Sequence, residues 1–280
     1  MANYSNLIKK YMRGDKLPHI WCSGCGHGIL MRNVAQAVDN LGLDKDNICL
    51  VSGIGCSSRA AGYLDFNTLH TTHGRALAFA TGIKLAKPEM EVLVITGDGD
   101  AAAIGGNHLI HAARRNIGIT VIVFNNSIYG MTGGQFSPTT PTGDLASTVP
   151  YGNIDRSFDL AFLAQASGAS FVARGTAYHV PQTIDAIERG IAHKGFSLID
   201  CFSICPTYYA RKNKKGGTVD MMKWQRQYGV AAKSAEKMSP KELEGKFAYG
   251  VLYETDFPEY TAEYQKIIDT VSIKNNGGES

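Results

Sequence analysis

The sequence lacks the features of membrane-spanning, secreted and nucleic-acid-binding proteins. No stretch reaches the roughly 18 apolar residues of a membrane span, and residues 1–15 are polar and basic, without the apolar segment of a secretory signal. Neither sign of charge dominates, because 28 Lys and Arg stand against 25 Asp and Glu, and no basic stripe is interleaved with aromatic residues. We therefore expect a cytoplasmic protein that neither spans a membrane nor binds nucleic acid.

Cysteine is also scarce, with six residues in a chain of 280. Because 44% of the residues are apolar, the chain can bury a full core without disulfides. Thiols in the cytoplasm stay reduced, which favours metal or cluster ligation over cross-links. Cys49 and Cys201 lie within apolar runs and are predicted to be buried strand residues. The other four cysteines are Cys22, Cys25, Cys56 and Cys205.

These four cysteines form a pattern that suits a cubane iron–sulfur cluster. Cys22 and Cys25 are separated by two residues, so a tight turn can aim both sulfurs at one centre, and the neighbouring glycines ease that turn. Cys56 and Cys205 complete the set, and a cysteine followed by proline is typical of bacterial ferredoxins. A four-cysteine zinc site, a redox-active dithiol and simple burial remain alternatives at this point.

Apolar runs typical of buried strands alternate with amphipathic helical stretches. Their continuous hydrophobicity fits a parallel sheet covered on both faces. The predicted strands are Ile48–Gly53, Val92–Gly97, Thr120–Asn125, Ala169–Ala173 and Ser197–Phe202. The predicted helices are His27–Asn40, Gly74–Lys87, Gly105–Arg115, Leu160–Ala166 and Pro181–His193. This order predicts an α/β fold, a doubly wound and mostly parallel sheet with helices on both faces.

The alternation of strand and helix patterns ends after Cys205. A basic, glycine-ended loop follows, and residues 218–272 show weak helical periodicity without a strand pattern. We predict a domain over residues 1–210 that carries the cofactor and cysteine motifs, followed by a basic loop and C-terminal extension over residues 211–280.

A glycine- and aspartate-rich motif follows one predicted strand, and a pair of asparagines ending in Asn126 closes the next. Both motifs lie at the carboxyl edge of adjacent strands, where open α/β sheets bind ligands. Gly97 and Gly99 let backbone N–H groups approach phosphate oxygens, while Asp98 and an asparagine amide oxygen suit Mg²⁺. Asp100 is predicted to cap the following helix.

An ordinary turn would explain the glycine–aspartate motif alone, but its spacing to the asparagines resembles the thiamine diphosphate motif. The loop after Asn126 is expected to supply further backbone donors to the cofactor. Its cofactor-binding candidates are Tyr129, Gly130 and Thr132.

Six ordered motifs resemble the β subunit of the 2-oxoacid:ferredoxin oxidoreductases, and most closely its 2-oxoglutarate branch. The resemblance covers about residues 15 to 260 and implies a thiamine diphosphate-binding fold of the diphosphate-binding type. The motifs are Cys22–Gly28, Gly53–Arg59, His70–Arg75, Gly97–Asp100, Asn125–Gln135 and Ile204–Thr207.

The resemblance implies a set of ligands for two inorganic groups. It assigns Cys22, Cys25, Cys56 and Cys205 to one [4Fe-4S] cluster. It assigns Mg²⁺ to three ligands, Asp98, Asn126 and the carbonyl oxygen of Ile128.

Further residues near the cofactor and substrate are also implied by the resemblance. Arg59 falls where the family places a basic residue near the substrate carboxylate, and Met131 falls where an apolar side chain borders the thiamine ring. His73 is expected to approach the diphosphate. The alternative for His73, and equally for His27 and His70, is a helix-capping or subunit-contact histidine.

The implied activity is the oxidative decarboxylation of a 2-oxoacid with thiamine diphosphate and coenzyme A. For 2-oxoglutarate the products are succinyl-CoA and CO₂, with electrons passing through the cluster to ferredoxin or a ferredoxin-like subunit, and the reaction can also run as a carboxylation. The family places the glutamate that activates the cofactor on the pyrimidine-binding domain of an α subunit. We therefore expect an αβ pair, assembled as a dimer of pairs.

Two other classes of function are compatible with part of the sequence. A non-redox thiamine diphosphate-dependent decarboxylase or synthase subunit would use the glycine–aspartate and asparagine motifs but would leave the four cysteines idle. A zinc-stabilised binding protein would use only the cysteines.

The basic loop has two interpretations. Its four cations follow Cys205 by six to ten residues, so they are expected near the point where electrons leave the cluster. One interpretation is attraction of an acidic ferredoxin, and the other is a solvated loop or a contact with the α subunit. The four are Arg211, Lys212, Lys214 and Lys215.

Overall fold

The computed structural model describes residues 4–276, so residues 277–280 of the predicted extension lie outside the described part. Eight strands form one sheet: β1 (Ile48–Ser52), β2 (Asn67–His70), β3 (Glu91–Gly97), β4 (Thr120–Asn125), β5 (Phe171–Thr176), β6 (Ser197–Phe202), β7 (Gly229–Ala231) and β8 (Phe247–Glu254). Their order across the sheet is β2-β1-β3-β4-β6-β5-β8-β7. All neighbouring pairs are parallel except β5 and β8.

Helices connect the strands and follow them. They are α1 (Tyr4–Tyr11), α2 (His27–Asn40), α3 (Ala60–Tyr63), α4 (Ala76–Ala86), α5 (Asp98–Ala102), α6 (Gly106–Arg115), α7 (Leu160–Ala166), α8 (Val180–Ala192), α9 (Thr218–Tyr228), α10 (Ala232–Ala235), α11 (Pro240–Leu243) and α12 (Tyr260–Asn276). A short π-helix, Pro206–Ala210, follows β6.

Two apolar layers cover the two faces of the sheet. Alternate residues of a strand point to opposite faces, so Ile48 and Leu50 of β1 pack in one layer while Cys49 and Val51 pack in the other. Helices α2 and α8 bury their apolar stripes in the first layer, and α4, α6 and α7 bury theirs in the second. The prediction of a doubly wound α/β fold is confirmed.

The five predicted strands and five predicted helices are present, with boundaries that differ by at most a few residues. The expectation of no strand within residues 218–272 is wrong, because β7 and β8 extend the sheet beyond β5. Strand β8 is only partly buried and carries Gly250 at φ 102°, so it lacks the continuous buried run of the central strands. The predicted domain boundary at residue 210 stays a prediction.

None of the helices within residues 4–276 combines the length and apolarity that crossing a membrane would need. The carboxyl ends of β1, β3, β4 and β6 meet at one edge of the sheet, and the loops that leave this edge carry most of the predicted site residues.

Candidate active site

One cleft at the carboxyl edge of the sheet brings together most of the predicted site residues. Its walls come from the loop after β1, the start of α5 after β3, and the loop after β4. The lining residues include His27, Cys56, His73, Gly97, Asp98, Gly99, Asn126, Ile128, Tyr129, Gly130, Met131 and Thr132.

Asp98 lies at the first position of α5 and is almost fully buried. Its Oδ2 accepts hydrogen bonds from the hydroxyls of Ser137 (2.5 Å) and Thr139 (2.6 Å). Burial raises the pKa of the Asp98 carboxyl, and these hydroxyls oppose that shift. No Lys, Arg or His of residues 4–276 forms an ion pair with Asp98. A buried carboxylate without a cationic side chain is a suitable ligand for a metal ion.

The other two predicted Mg²⁺ ligands lie beside Asp98. The backbone N–H of Asn126 is 3.4 Å from Asp98 Oδ1, and Asn126 Oδ1 accepts from the backbone N–H of Ile128 at 3.3 Å. In the part of the chain that the structure describes, no backbone N–H donates to the Ile128 carbonyl oxygen. Carboxylate, amide and carbonyl oxygens together form a hard donor set of the kind Mg²⁺ prefers.

Tyr129 fixes the loop after β4 against the start of α5. Its hydroxyl donates to the carbonyl of Gly99 at 3.0 Å, and a Cβ on Gly99 would lie 2.2 Å from the tyrosine ring. Only glycine at position 99 therefore allows this close approach. The contact holds the loop after β4 against the start of α5, and these two segments form the proposed diphosphate site.

Asp100 does not cap the following helix, so that prediction is wrong. Helix α5 already begins at Asp98, and the buried carboxylate of Asp100 turns towards the loops on either side of β2. Its Oδ1 accepts from His73 Nδ1 and from the backbone N–H of Gly74 (2.6 Å), and its Oδ2 accepts from Thr96 Oγ1 (2.7 Å). Asp100 thereby holds His73, which is partly exposed, at the wall of the cleft.

The other two candidate histidines have intramolecular partners. His27 is fully buried, its Nδ1 lies 2.7 Å from Ser203 Oγ, and burial lowers its pKa to about 3. His27 is therefore neutral at physiological pH. His70 Nδ1 lies 3.0 Å from Ser52 Oγ, and burial lowers its pKa as well.

Arg59 reaches the rim of the cleft beside Met131. The Arg59 Nη2 lies 3.8 Å from Met131 Sδ, and no carboxylate among residues 4–276 is within ion-pair distance of this guanidinium. Both side chains are partly exposed. An unpaired, forked cation next to an apolar side chain is suited to a small carboxylate with an apolar portion.

The four predicted cluster cysteines converge from three parts of the chain. Burial raises the pKa of the Cys25 thiol to about 12, and the nearby Cys205, Cys56 and Cys22 add to the rise. Burial also raises the pKa of Cys56 and of Cys205. Cys49 and Cys201 are buried in β1 and β6, as predicted.

The backbone around these sulfurs partly opposes the effect of burial. Hydrogen bonding by the backbone of His27 lowers the pKa of Cys25, that of Met131 lowers the pKa of Cys56, and that of residues 207–209 lowers the pKa of Cys205. Hydrogen bonds to sulfur are usual in the surroundings of iron–sulfur clusters.

The cleft is small for a whole cofactor. Its volume is about 100 Å³, whereas ligand sites typically enclose about 300 to 1,000 Å³. A larger cavity of about 930 Å³ lies farther along the same edge and shares only Asn126 with the cleft. Its wall includes Arg174, whose guanidinium bonds Asp159 (2.6 Å) and Asp200 (3.4 Å). The proposed chemistry belongs to the smaller cleft, where the glycine–aspartate and cysteine motifs meet.

Sequence reasoning missed the residues that hold the proposed ligands in place. Ser137 and Thr139 bond Asp98, and Asp100 bonds His73. The polar run after Phe136, in which hydroxyl residues surround a proline, was the available signal for the first pair.

A family model described as thiamine pyrophosphate enzyme, C-terminal TPP binding domain, matches residues 53–201. This range contains β2 to β5, β6 up to Cys201, and every cleft motif except the first and last cysteine segments.

Two curated relatives and one solved structure are similar over nearly the whole chain. The chain is 52% identical over 269 residues to the 2-oxoglutarate synthase subunit KorB of Methanothermobacter marburgensis, covering 96% of this chain and 94% of that protein. It is 52% identical over 260 residues to the protein of the same name from Methanocaldococcus jannaschii, covering 93% and 96%. The solved structure is the 2-oxoglutarate:ferredoxin oxidoreductase from Magnetococcus marinus with 2-oxoglutarate, coenzyme A and succinyl-CoA bound. It shares 33% identity and a TM-score of 0.84, covering 94% of this chain and 90% of that chain.

Proposed function

Because the chain belongs to the thiamine pyrophosphate enzymes and, among them, to the β subunits of 2-oxoacid:ferredoxin oxidoreductases, we propose that it is the β subunit of a 2-oxoglutarate:ferredoxin oxidoreductase. One 2-oxoglutarate, one coenzyme A and two oxidised ferredoxins give succinyl-CoA, CO₂, two reduced ferredoxins and a proton. The same balance read backwards is a carboxylation.

A single contact carries this proposal. The loop after β4 borders the cleft with Ile128, Tyr129 and Met131, and a Cβ on Gly130 in the same loop would lie 3.5 Å from the sulfur of Cys56. The loop that would border the substrate therefore lies against a ligand of the proposed cluster. Electrons released in the cleft would have a short route to the cluster.

Thiamine diphosphate, when bound, supplies an electron sink for decarboxylation, and a [4Fe-4S] cluster accepts electrons singly. Asp98, Asn126 and the Ile128 carbonyl would hold Mg²⁺, and the buried, cation-free surroundings of Asp98 support that role. Gly97, Gly99, Tyr129, Gly130 and Thr132 would line the cofactor. His73, held by Asp100, would face the diphosphate.

Cys22, Cys25, Cys56 and Cys205 would hold the cluster. Their convergence, and the backbone hydrogen bonding that lowers the pKa of Cys25, Cys56 and Cys205 against the effect of burial, support thiolate ligands for a cluster. Arg59 would bind a substrate carboxylate by charge and by two hydrogen bonds, and Met131 would shield the reacting carbon from water.

The chain would need an α subunit. Its cleft encloses too little volume for the whole cofactor, and the pyrimidine half would be covered by the partner, which would also supply the activating glutamate. The partner, the dimer of αβ pairs and the external ferredoxin are parts of the same proposal.

The test is a kinetic assay of the αβ complex, purified anaerobically after co-expression. Reduction of ferredoxin should require thiamine diphosphate, Mg²⁺ and coenzyme A, and kcat/KM should be highest for 2-oxoglutarate in a panel with pyruvate and branched-chain 2-oxoacids. Decarboxylation without acceptor reduction would instead favour the non-redox thiamine enzyme. A preference for pyruvate would leave the family assignment intact but would show that 2-oxoglutarate is not the main substrate.

A further inference from the structure

We propose that a basic face beside the cysteine loops, named here the exit face, docks an acidic iron–sulfur electron carrier. The exit face consists of the cations Arg211, Lys212 and Lys214 and the apolar residues Ile20, Tyr208 and Val219. This proposal rests on the proposed function, because it names the surface through which that reaction would deliver its electrons.

Both ends of the basic segment are fastened to cysteine loops. At its start, the π-helix Pro206–Ala210 leads directly from Cys205. At its end, Thr218 packs on the turn between Cys22 and Cys25, where its hydroxyl lies 3.5 Å from the carbonyl oxygen of Gly24. A Cβ on Gly24 would lie 1.9 Å from that hydroxyl, so the contact is close. The cations between these anchors must therefore lie near the cysteines.

The charges of the exit face are not neutralised within the described chain. Arg211, Lys212 and Lys214 are exposed and form no ion pair with any carboxylate of residues 4–276. Lys215 differs, because its ammonium pairs with Asp144 at 2.7 Å and lies over the ring of Tyr209. The basic loop thus offers three cations to a partner, where the sequence suggested four.

Exposed apolar side chains belong to the same segments: Tyr208 lies in the π-helix that precedes Arg211, Val219 follows Thr218, and Ile20 precedes the turn that Thr218 contacts. Ile20 is 71% exposed, Val219 64% and Tyr208 40%. Cys22 is the exposed member of the four cysteines, and Ile20 precedes it by two residues. Exposed apolar groups within a charged rim are the usual composition of a transient protein interface. The exit face would therefore bring a carrier close to the most accessible cluster ligand.

The chemistry of this face favours an acidic partner. Three uncompensated cations attract a negative surface over about a Debye length, roughly 8 Å at physiological salt, and strengthen binding mainly by raising the association rate. A small acidic ferredoxin, which must leave once it is reduced, suits such a weak and salt-sensitive contact. The competing occupant is the α subunit, and the experiment separates the two.

The test compares two triple variants of the αβ holoenzyme. The exit-face variant carries Arg211→Gln, Lys212→Gln and Lys214→Asn, the last because Lys214 has φ 53°, which asparagine tolerates. The control variant carries Lys233→Gln, Lys237→Gln and Lys241→Gln, three exposed lysines near the β7 edge of the sheet. Both variants lose the same net charge, so a general field effect would appear in both.

Two measurements are made with an acidic two-cluster ferredoxin at several ionic strengths. In the kinetic one, kcat/KM for ferredoxin should fall about tenfold or more at low salt in the exit-face variant, with a flatter salt dependence. The rate with methyl viologen, a small acceptor, should not change. The control variant should match the wild type. Unchanged kcat/KM and salt dependence for ferredoxin would overturn the proposal, and so would an equal loss with methyl viologen, which would indicate assembly with the α subunit.

The second measurement is binding of the same complexes to immobilised ferredoxin. It separates this proposal from the proposed function, because binding needs no turnover. If the wild type reduces neither acceptor with any 2-oxoacid, the proposed function fails. Docking would still be supported if the wild type and the control variant bound ferredoxin in a salt-sensitive way and the exit-face variant did not. Equal binding by the wild type and the exit-face variant would overturn the docking proposal, whatever the kinetics show.

Discussion

At the scale of single residues, Asp98 combines burial, two short hydroxyl contacts and a raised pKa with no ion-pair partner in the described part of the chain. An ionised carboxylate in such a place is costly unless a cation compensates it. The same residue should therefore lower stability in the cofactor-free protein and strengthen binding of a magnesium diphosphate.

This leads to two opposite effects of Asp98→Asn. Affinity for magnesium thiamine diphosphate should fall by at least about 10- to 100-fold, the range seen when even a supporting residue is lost. The cofactor-free complex should be no less stable, because the buried charge is gone. Cofactor titration calorimetry and denaturant unfolding measure the two effects, with Asp155→Asn, an exposed acid, as the control. Unchanged affinity would mean that this loop is only a turn.

A second prediction concerns Arg59. Among residues 4–276, its guanidinium has no hydrogen-bond partner other than the sulfur of Met131. Arg59→Ala should raise the KM for 2-oxoglutarate by about 10-fold or more, as expected for losing a hydrogen bond to a charged group. Arg59→Lys keeps the positive charge but loses the forked pair of donors, so its KM should lie between that of the wild type and that of Arg59→Ala. Steady-state kinetics of the αβ complex provide the measurement. Wild-type KM and kcat in both variants would remove Arg59 from the substrate site.

The residue types at the sheet edge could be predicted because strand ends are local features. Asp98 and Asn126 each follow an apolar run, and parallel strands bring such ends together. The partners of Asp98 could not be predicted in this way, since Ser137 and Thr139 lie 39 and 41 residues away in sequence. The prediction for Asp100 is wrong because α5 starts earlier than the predicted helix. The carboxylate of Asp100 therefore lies among buried hydrogen-bond donors.

At the scale of elements, the sequence is most informative where strands are buried on both faces. Strands β1, β3, β4, β5 and β6 are nearly fully buried, so their hydrophobicity is continuous and easily recognised. Strand β2 lies at an edge and is half exposed, and β8 is partly buried along most of its length. Pairing of β8 with β5 across a bulge depends on tertiary contacts that no local pattern records.

One buried pair links neighbouring strands β5 and β6. Arg174 and Asp200 are register partners, and burial raises the pKa of Asp200 to about 6 although Arg174 opposes that shift. Between about pH 4 and 6 the native state therefore holds a proton that the unfolded chain has lost. Raising the pH through this window should lower the free energy of unfolding, by at most about 3 kcal/mol.

The contribution of Asp200 can be isolated with Asp200→Asn, because other carboxylates titrate equally in both proteins. The stability of the variant relative to wild type should increase from pH 4 to pH 7, since asparagine never becomes a buried charge. Arg174 keeps its ion pair with Asp159 in this variant, and any cost of replacing its Asp200 partner by asparagine is present at both pH values and cancels. Denaturant unfolding of the αβ complex at each pH measures the difference, and a pH-independent difference would show that Asp200 titrates normally.

At the scale of the whole molecule, the proposed cluster connects parts of the chain that are far apart in sequence. Cys22 and Cys25 precede α2, Cys56 follows β1, and Cys205 leads into the segment that joins the C-terminal strands to the sheet. A cluster bound by all four would therefore fasten the N-terminal loop and the C-terminal part to the same edge of the sheet. Losing one ligand should affect redox function and structure together.

Replacing any one of these four cysteines by serine should lower the iron content and the absorbance near 400 nm of the αβ complex and abolish ferredoxin reduction, because serine is a poor cluster ligand. Cys49→Ser and Cys201→Ser are the matched controls. They remove sulfur from buried strand positions, so they should cost about 1 to 3 kcal/mol of stability but leave iron and activity intact. Iron analysis, absorbance and ferredoxin kinetics are compared across all six variants. Cys205→Ser is the decisive one, since full iron occupancy and activity in this variant would exclude the proposed ligand set.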